Sequence, residues 1–145
     1  MRYVQQGDTY VIRFEDEEAF PDRFLEFLAA EAIVAGSFSG IGAMKRTRIA
    51  FFDTEVKEYL DIDLDEQMEV LALVGNVAIH AGEPLVHAHV TLGRRDGTTL
   101  GGHLRQGIVR PTLELTLRAL PEAVQRVIDP KYGLPALDLP ASETR

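Results

Sequence analysis

The sequence contains no cysteine, and this absence excludes three kinds of chemistry. A chain without thiols cannot be a disulfide-stapled scaffold, cannot bind a metal through thiolates and cannot use a cysteine nucleophile. With 145 residues, the chain is long enough to bury roughly two-thirds of its unfolded surface, so its core needs no cross-link. We therefore expect one globular domain suited to a reducing compartment.

Long apolar segments and positive charge are also scarce. No apolar run approaches the roughly 20 residues of a membrane-spanning helix, and the start, MRYVQQGDTYVIRFEDEE, lacks the apolar core of a signal peptide. Lys and Arg number 15 against 23 Asp and Glu, which gives a net charge of −8 with neutral histidines. An acidic chain repels phosphate groups on average. We therefore expect a cytoplasmic protein that neither enters a membrane nor binds DNA directly.

The apolar pattern predicts an α+β domain, similar to an α/β sandwich, in which one main helix packs on a mostly antiparallel sheet. A hairpin is predicted at residues 3–14, followed by a helix that starts near Pro21 and ends at Gly36. A further turn is predicted at Gly107-Ile108. The apolar positions on both faces of residues 70–74 indicate a central strand. The predicted strands after the helix are residues 37–52, 55–60, 68–80, 85–92, 98–104 and 112–120.

The domain is predicted to span residues 1–120, with a proline-rich tail at residues 121–145. Four of the seven prolines lie in this tail, which prevents long regular elements. A short helix is predicted at residues 122–128. The rest is expected to pack on the domain or on a neighbouring subunit, with residues 141–145 partly disordered.

Three of the four histidines lie in the segment EPLVHAHVTLGRRDGTTLGGHLRQG. Residues two apart in a strand share a face, so His87 and His89 point the same way. A turn at Asp96-Gly97 reverses the chain and brings His103 toward them. Gly101-Gly102 precede His103 and predict a close approach of the backbone. Three neutral imidazoles with one open position are typical of catalytic zinc, and other divalent metals also accept imidazole.

The spacing leaves a second interpretation open. A His-x-His strand can also present an exposed polar face or a hydrogen-bonded pair, and no fourth protein ligand is evident. His80 lies apart from the other histidines and is expected to be a surface or hydrogen-bonding residue. A cupin barrel is disfavoured, because residues 90–96 contain no glutamate to follow the His-x-His pair.

Several segments, in this order, are similar to one known family: AGSFSGIGAMKRTRIAFFD at 35–53, KEY at 57–59, MEVLALVGNVA at 68–78, GEPLVHAHVTL at 82–92, GGHLRQG at 101–107 and TLELTL at 112–117. Together they resemble the PPC (plants and prokaryotes conserved) domain family, a domain of unknown function, over residues 3–120. The resemblance implies a largely antiparallel sheet with a helix against it and assembly as a homotrimer. It also implies, for some prokaryotic members, a metal held by the residues corresponding to His87, His89 and His103.

Three functions stay open at this point. The first is a trimeric protein that holds a divalent metal, zinc, at the three histidines and binds a small ligand. If it is an enzyme, it would be a metal-dependent hydrolase or lyase, with Glu83 or Glu114 as the base. The second is a protein-interaction module without catalytic activity. The third is a DNA-associated regulatory module, which the net charge and the lack of the AT-hook found in plant PPC proteins disfavour.

Overall fold

The computed structural model describes residues 1–140, so the prediction for residues 141–145 lies outside the described residues. The N-terminal elements are β1 (Arg2–Gln6), β2 (Thr9–Phe14), β3 (Ala19–Phe20) and the helix α1 (Asp22–Ala30). They are followed by β4 (Gly36–Asp53), β5 (Glu58–Leu64), β6 (Met68–His80), β7 (Glu83–Gly93), β8 (Thr99–Ala119), β9 (Arg126–Ile128) and β10 (Pro135–Leu137). Across residues 1–140, the helical structure is too short to cross a membrane.

Eight of the strands form one sheet in which every pairing is antiparallel. The order is β1-β2-β8-β7-β6-β4-β5, and β3 pairs with β8. Strand β4 also pairs with β8, so β4, β6, β7 and β8 form a closed cycle of paired strands. The prediction of a mostly antiparallel sheet with a helix is therefore confirmed, but the helix described in residues 1–140 is short, with 9 residues.

The helix α1 packs on the sheet through aromatic side chains. Phe24, Phe27 and Leu28 recur at helical spacing and are buried. The Phe24 ring meets the Phe38 ring of β4 edge to face, with centroids 5.1 Å apart. This geometry is the favoured one for aromatic pairs and adds to the burial of apolar area. These aromatic side chains of α1 therefore belong to the core.

Three predicted boundaries are wrong. The strand predicted at residues 55–60 is β5 at Glu58–Leu64, and in the other two cases a glycine belongs to a strand. The helix ends at Ala30, and Gly36 begins β4. A Cβ on Gly36 would lie 2.6 Å from the carbonyl oxygen of Arg118, so this glycine permits close strand pairing. Gly107-Ile108 does not form a turn, because β8 continues through both residues. The Met44 side chain occupies the space that a Cβ on Gly107 would need.

The central strand β6 lies between β4 and β7, as predicted. Its faces differ, however. Val70 and Leu73 are buried in the core, whereas Leu71 is 49% exposed and Val74 is 52% exposed. The second apolar face of β6 is therefore uncovered in a single chain.

The predicted helix at residues 122–128 is wrong. This segment instead contributes β9, which pairs with β10 in a small antiparallel hairpin. The Asp129 carboxylate accepts hydrogen bonds from the backbone N–H groups of Lys131 and Tyr132 and so stabilises the turn. The backbone N–H of Ile79 in β6 donates to the carbonyl of Val124 at 2.8 Å. The tail up to residue 140 thus packs on its own domain. It uses backbone hydrogen-bonding groups, such as the carbonyl of Val124, that would bond within the segment if it were a helix.

Candidate metal centre

The candidate site lies where β7 and β8 pair. His89 is directly opposite His103 in the register of the two strands. The turn between them holds this register, because the Asp96 carboxylate accepts hydrogen bonds from the Thr98 N–H at 2.9 Å and the Thr98 hydroxyl at 2.7 Å. A slip of one residue would turn His103 to the opposite face of the sheet.

Two glycines let β8 fit between its neighbours next to His103. A Cβ on Gly101 would lie 2.5 Å from the carbonyl oxygen of Val90 in β7. A Cβ on Gly102 would lie 2.9 Å from the carbonyl oxygen of Ala50 in β4. Both distances are too short for a real side chain, so the predicted close approach of the backbone is confirmed.

The structure brings together all three histidines named from the sequence. Their ring centroids are 5.2, 5.3 and 5.5 Å apart, and one nitrogen of each ring lies within 4.8 Å of the others. The Nε2 atoms of His87 and His89 are 3.3 Å apart. Two nitrogens bound to a tetrahedral metal at roughly 2.0–2.1 Å would be separated by about 3.4 Å. The pair therefore already has the spacing of two metal ligands.

The surroundings of the histidines favour neutral rings. Burial, with smaller contributions from the neighbouring His87 and His89, lowers the pKa of His103 to about 4. Burial also lowers the pKa of His87, with smaller contributions from Arg126 and His89. Since the neutral imidazole is the form that binds a metal, the two rings are in the binding form at neutral pH.

The fourth histidine differs in its bonding. The Nδ1 atom of His80 is 3.1 Å from the carbonyl oxygen of Arg126, as expected for a hydrogen-bonding residue. By contrast, the Nδ1 atom of His103 is buried and has no hydrogen-bond partner within residues 1–140. Buried polar atoms are normally paired, so an unpaired ring nitrogen fits a site that takes a ligand. The all-nitrogen donor set suits zinc and similar metals.

Three residues beside the histidines were not identified as site residues from the sequence. The Tyr59 ring packs on His103 with centroids 5.0 Å apart, and the Arg105 guanidinium lies 4.1 Å from the centre of the same tyrosine ring. The Nε of Arg105 donates to the Asp61 carboxylate at 3.2 Å. A signal exists for these residues, because Tyr59 and Asp61 are two apart in β5 and His103 and Arg105 are two apart in β8, so each pair shares a face.

A cavity of about 310 Å³ adjoins the cluster, with walls from β5, β7, β8 and the tail. Its lining residues are Tyr59, Leu85, Val86, His87, His103, Arg105, Arg126, Leu134 and Pro135. The two candidate bases named from the sequence do not line it. Glu83 lies four residues before His87 in β7, roughly 13 Å along the strand. Glu114 lies opposite Ile41, well along the β4–β8 pairing from His103, which lies opposite Ala50.

Comparison with known proteins gives three informative structural relatives. A plant- and prokaryote-conserved (PPC) protein from Pyrococcus horikoshii is 34% identical, with 97% of each chain covered and a TM-score of 0.86. A metal-containing protein from Archaeoglobus fulgidus is 33% identical, with 93% of this chain and 96% of that chain covered and a TM-score of 0.85. A Bacteroides thetaiotaomicron protein whose name proposes DNA binding is 30% identical, with 94% and 96% covered and a TM-score of 0.91.

The curated relatives are much longer proteins. The bifunctional protein GlmU of a Synechococcus strain is 33% identical over 113 residues, which is 75% of this chain and 17% of that protein. The chain thus spans less than a fifth of the length of the curated relatives it matches. The Plants and Prokaryotes Conserved (PCC) domain matches residues 1–121. With most of its length matched, the chain belongs to the Plants and Prokaryotes Conserved domain family.

Proposed function

We propose that this protein binds one divalent metal ion, zinc, through His87, His89 and His103, and that the adjoining cavity receives a small ligand. The observation that carries the proposal is the convergence of three imidazoles, two of which have nitrogens 3.3 Å apart. The metal-containing protein from Archaeoglobus fulgidus, 33% identical to this chain, supports it. The nitrogen donors favour zinc over magnesium or calcium, which prefer oxygen ligands.

The residues around the cavity support ligand binding more strongly than catalysis. A bound zinc ion would act as a Lewis acid toward an oxygen of the ligand. Asp61 is the acidic side chain that neighbours the cluster, but its carboxylate accepts a hydrogen bond from Arg105. It is therefore engaged in holding Arg105 in place against Tyr59. If the protein is an enzyme, a metal-dependent hydrolase or lyase, Asp61 is the candidate base among residues 1–140, and it would have to release Arg105 to act.

We also propose that the protein assembles as a homotrimer, as the family resemblance implies. An apolar groove on the outer face of the sheet supports this assembly. Ile41 is 60% exposed there, beside the half-exposed Leu71 and Val74 of β6 and Val11 of β2. Exposed apolar surface of this kind is typical of a protein–protein interface. We refer to these four residues as the apolar groove.

The metal proposal is tested by measuring metal content. Wild type and the variants His87→Ala, His89→Ala, His103→Ala and His80→Ala are purified without nickel resin and analysed by elemental mass spectrometry after loading with zinc. We expect about one zinc per chain in the wild type and in His80→Ala, because His80 bonds to the backbone of Arg126. We expect almost none in the other three variants. Equal zinc in all five proteins, or a loss in His80→Ala alone, would show that the assignment is wrong.

The competing function is a protein-interaction module without a metal, and the apolar groove is the observation that favours it. In that case the three histidines form a hydrogen-bonded polar face. Titration of the metal-free wild type with zinc distinguishes the two functions. No detectable binding of zinc, together with a stable assembly of chains, would select the interaction module.

A further inference from the structure

We propose that Arg126 forms a binding subsite for a small carboxylate in the cavity beside the histidines. The proposal deepens the proposed function and rests on it for one point only, which is that the end of the ligand away from its carboxylate extends toward the metal site. The carboxylate subsite itself depends on Arg126, which forms no hydrogen bond with any of the three imidazoles.

Arg126 is a buried charge with an unused donor. The residue is 6% exposed. Its Nη1 donates to the carbonyl oxygen of Pro135 at 2.7 Å, and its Nη2 donates to the side-chain oxygen of Asn76 at 2.6 Å. Its Nε is buried and has no hydrogen-bond partner within residues 1–140. A buried donor without an acceptor is rare in native proteins, so it points to an acceptor that binds from outside the chain.

The charge of Arg126 is also uncompensated. Both of its partners are neutral, and among residues 1–140 no carboxylate lies within ion-pairing distance of its guanidinium. Burial consequently lowers the pKa of Arg126, although an arginine still keeps its proton at neutral pH. Buried charges in proteins are normally paired, so the absence of an acidic partner favours an anionic ligand.

The second arginine of the cavity is in a different state. The Nε of Arg105 donates to the Asp61 carboxylate, and its guanidinium stacks on Tyr59. Its charge is therefore already neutralised and its position fixed. Arg126 is therefore the arginine of the cavity whose charge is not already neutralised, and its single positive charge, apart from that of any bound metal, matches one carboxylate group.

The form of the cavity favours a carboxylate with a short apolar chain. Its volume of about 310 Å³ is at the lower end of the range for ligand pockets. Leu85, Val86, Leu134 and Pro135 supply apolar walls. A guanidinium suits the planar carboxylate group. At Arg126 a phosphate group would need more hydrogen-bond donors than this end of the cavity offers, because Arg105 is already engaged by Asp61.

The test follows the Nε–H resonance of Arg126 by nitrogen-15 NMR and binding heat by calorimetry. Zinc-loaded and zinc-free protein are titrated with sodium butyrate and, separately, with inorganic phosphate at constant ionic strength. We expect butyrate to shift the Arg126 resonance and to bind at least tenfold more weakly to Arg126→Lys and Arg126→Met. The matched control is Arg118→Met, an exposed arginine paired with Asp8, which should bind butyrate like the wild type.

A second variant keeps the proposal testable if Arg126 variants unfold the tail. Leu134→Trp fills the cavity and leaves Arg126 unchanged, and we expect it to weaken butyrate binding at least tenfold as well. Unchanged butyrate binding in Leu134→Trp and in a folded Arg126→Lys would overturn the proposal. Phosphate binding without butyrate binding would also overturn it.

The outcomes separate this proposal from the metal proposal. If zinc fails to bind but butyrate still shifts the Arg126 resonance, the carboxylate subsite stands and the metal site is wrong. If zinc binds to the three histidines but butyrate binds nowhere in the cavity, the metal site stands and the carboxylate subsite is wrong.

Discussion

The histidine cavity and the apolar groove lie at different positions along the pairing of the two long strands β4 and β8, and they differ in what they leave unsatisfied. At one end of the pairing, Ala50 lies opposite His103, and the cavity there holds polar nitrogens that have no hydrogen-bond partner among residues 1–140. Farther along the pairing, Ile41 lies opposite Glu114, and the groove exposes large apolar side chains. Unpaired buried polar atoms point to an ion or small ligand, whereas exposed apolar area points to a protein surface. One sheet thus offers two sites with separate chemistry.

The largest expected effect is the loss of assembly when charge enters the groove. We expect Ile41→Glu to convert a homotrimer into a monomer near 16.1 kDa, because a carboxylate cannot be buried in an apolar interface without a partner. The same variant should still bind one zinc per chain, since all three proposed ligands come from one chain. Light scattering and metal analysis measure both properties.

The control for the groove is Val127→Glu, which changes an exposed valine of β9 in the tail. We expect this variant to keep the assembly of the wild type. A wild type that is itself a stable monomer would contradict the trimer. Loss of zinc in a folded, monomeric Ile41→Glu would contradict the independence of the two regions.

The second effect is the pH dependence of metal binding in the cavity. Imidazole binds a metal only when neutral, and its unperturbed pKa is about 6.5. Because the pKa of His103 is about 4 and that of His87 is also lowered, we expect the apparent zinc affinity to change little between pH 8 and pH 6 and to fall by more than tenfold as the pH drops from about 6 to about 4. Competition with a chromogenic chelator measures this affinity. His80→Ala should give the same profile, and a flat profile in the wild type would argue against histidine ligands.

Which residues of the candidate site could be predicted from the sequence depends on how far apart they lie in the chain. His87 and His89 are two residues apart in one strand, and a short turn links them to His103, so local periodicity was enough to bring them together. Arg126 could not be assigned to the site, because it reaches the cavity only through the pairing of the tail with β6. Such long-range contacts leave no periodic signal in the sequence.

The incorrect predictions have the same origin. Gly107 has the local features of a turn residue, but it lies within β8 because the side chain of Met44, from a distant strand, fills the space beside it. Residues 122–128 have no strong local preference, and their backbone bonds with β6 and β10 decide their conformation. Tertiary contacts outweighed local propensity at each of these positions.

The third effect is a modest pH dependence of the stability of the metal-free protein. The pKa of His103 is about 4 in the folded chain and about 6.5 when unfolded. Between these values the unfolded state binds more protons, so the free energy of unfolding decreases as the pH falls from about 6.5 to about 4. Because the ring is only partly buried, we expect a loss on the order of 1 kcal/mol.

Urea unfolding of the metal-free protein at pH 7 and pH 4.5 measures this loss. The variant His103→Gln removes the titrating ring, so its free energy of unfolding should fall less over the same interval. His80→Gln serves as the matched control, because His80 lies outside the cluster and bonds to the backbone. If His103→Gln and the wild type lose the same free energy, the protonation of His103 is not the cause.

The smallest expected effect is on DNA, for which neither region offers a surface. Several basic side chains are paired with carboxylates: Arg48 with Asp63, Arg94 with Glu66 and Arg110 with Asp16. With a net charge of −8, we expect weak, strongly salt-dependent binding of duplex DNA or none. Fluorescence anisotropy with a labelled duplex at low and physiological salt measures it. The variant Asp63→Asn, which frees Arg48, should raise the residual binding slightly at low salt only.

Tight, sequence-specific binding by the wild type at physiological salt would instead show that the paired arginines exchange their carboxylates for phosphates. The DNA-binding function would then replace the ligand-binding one.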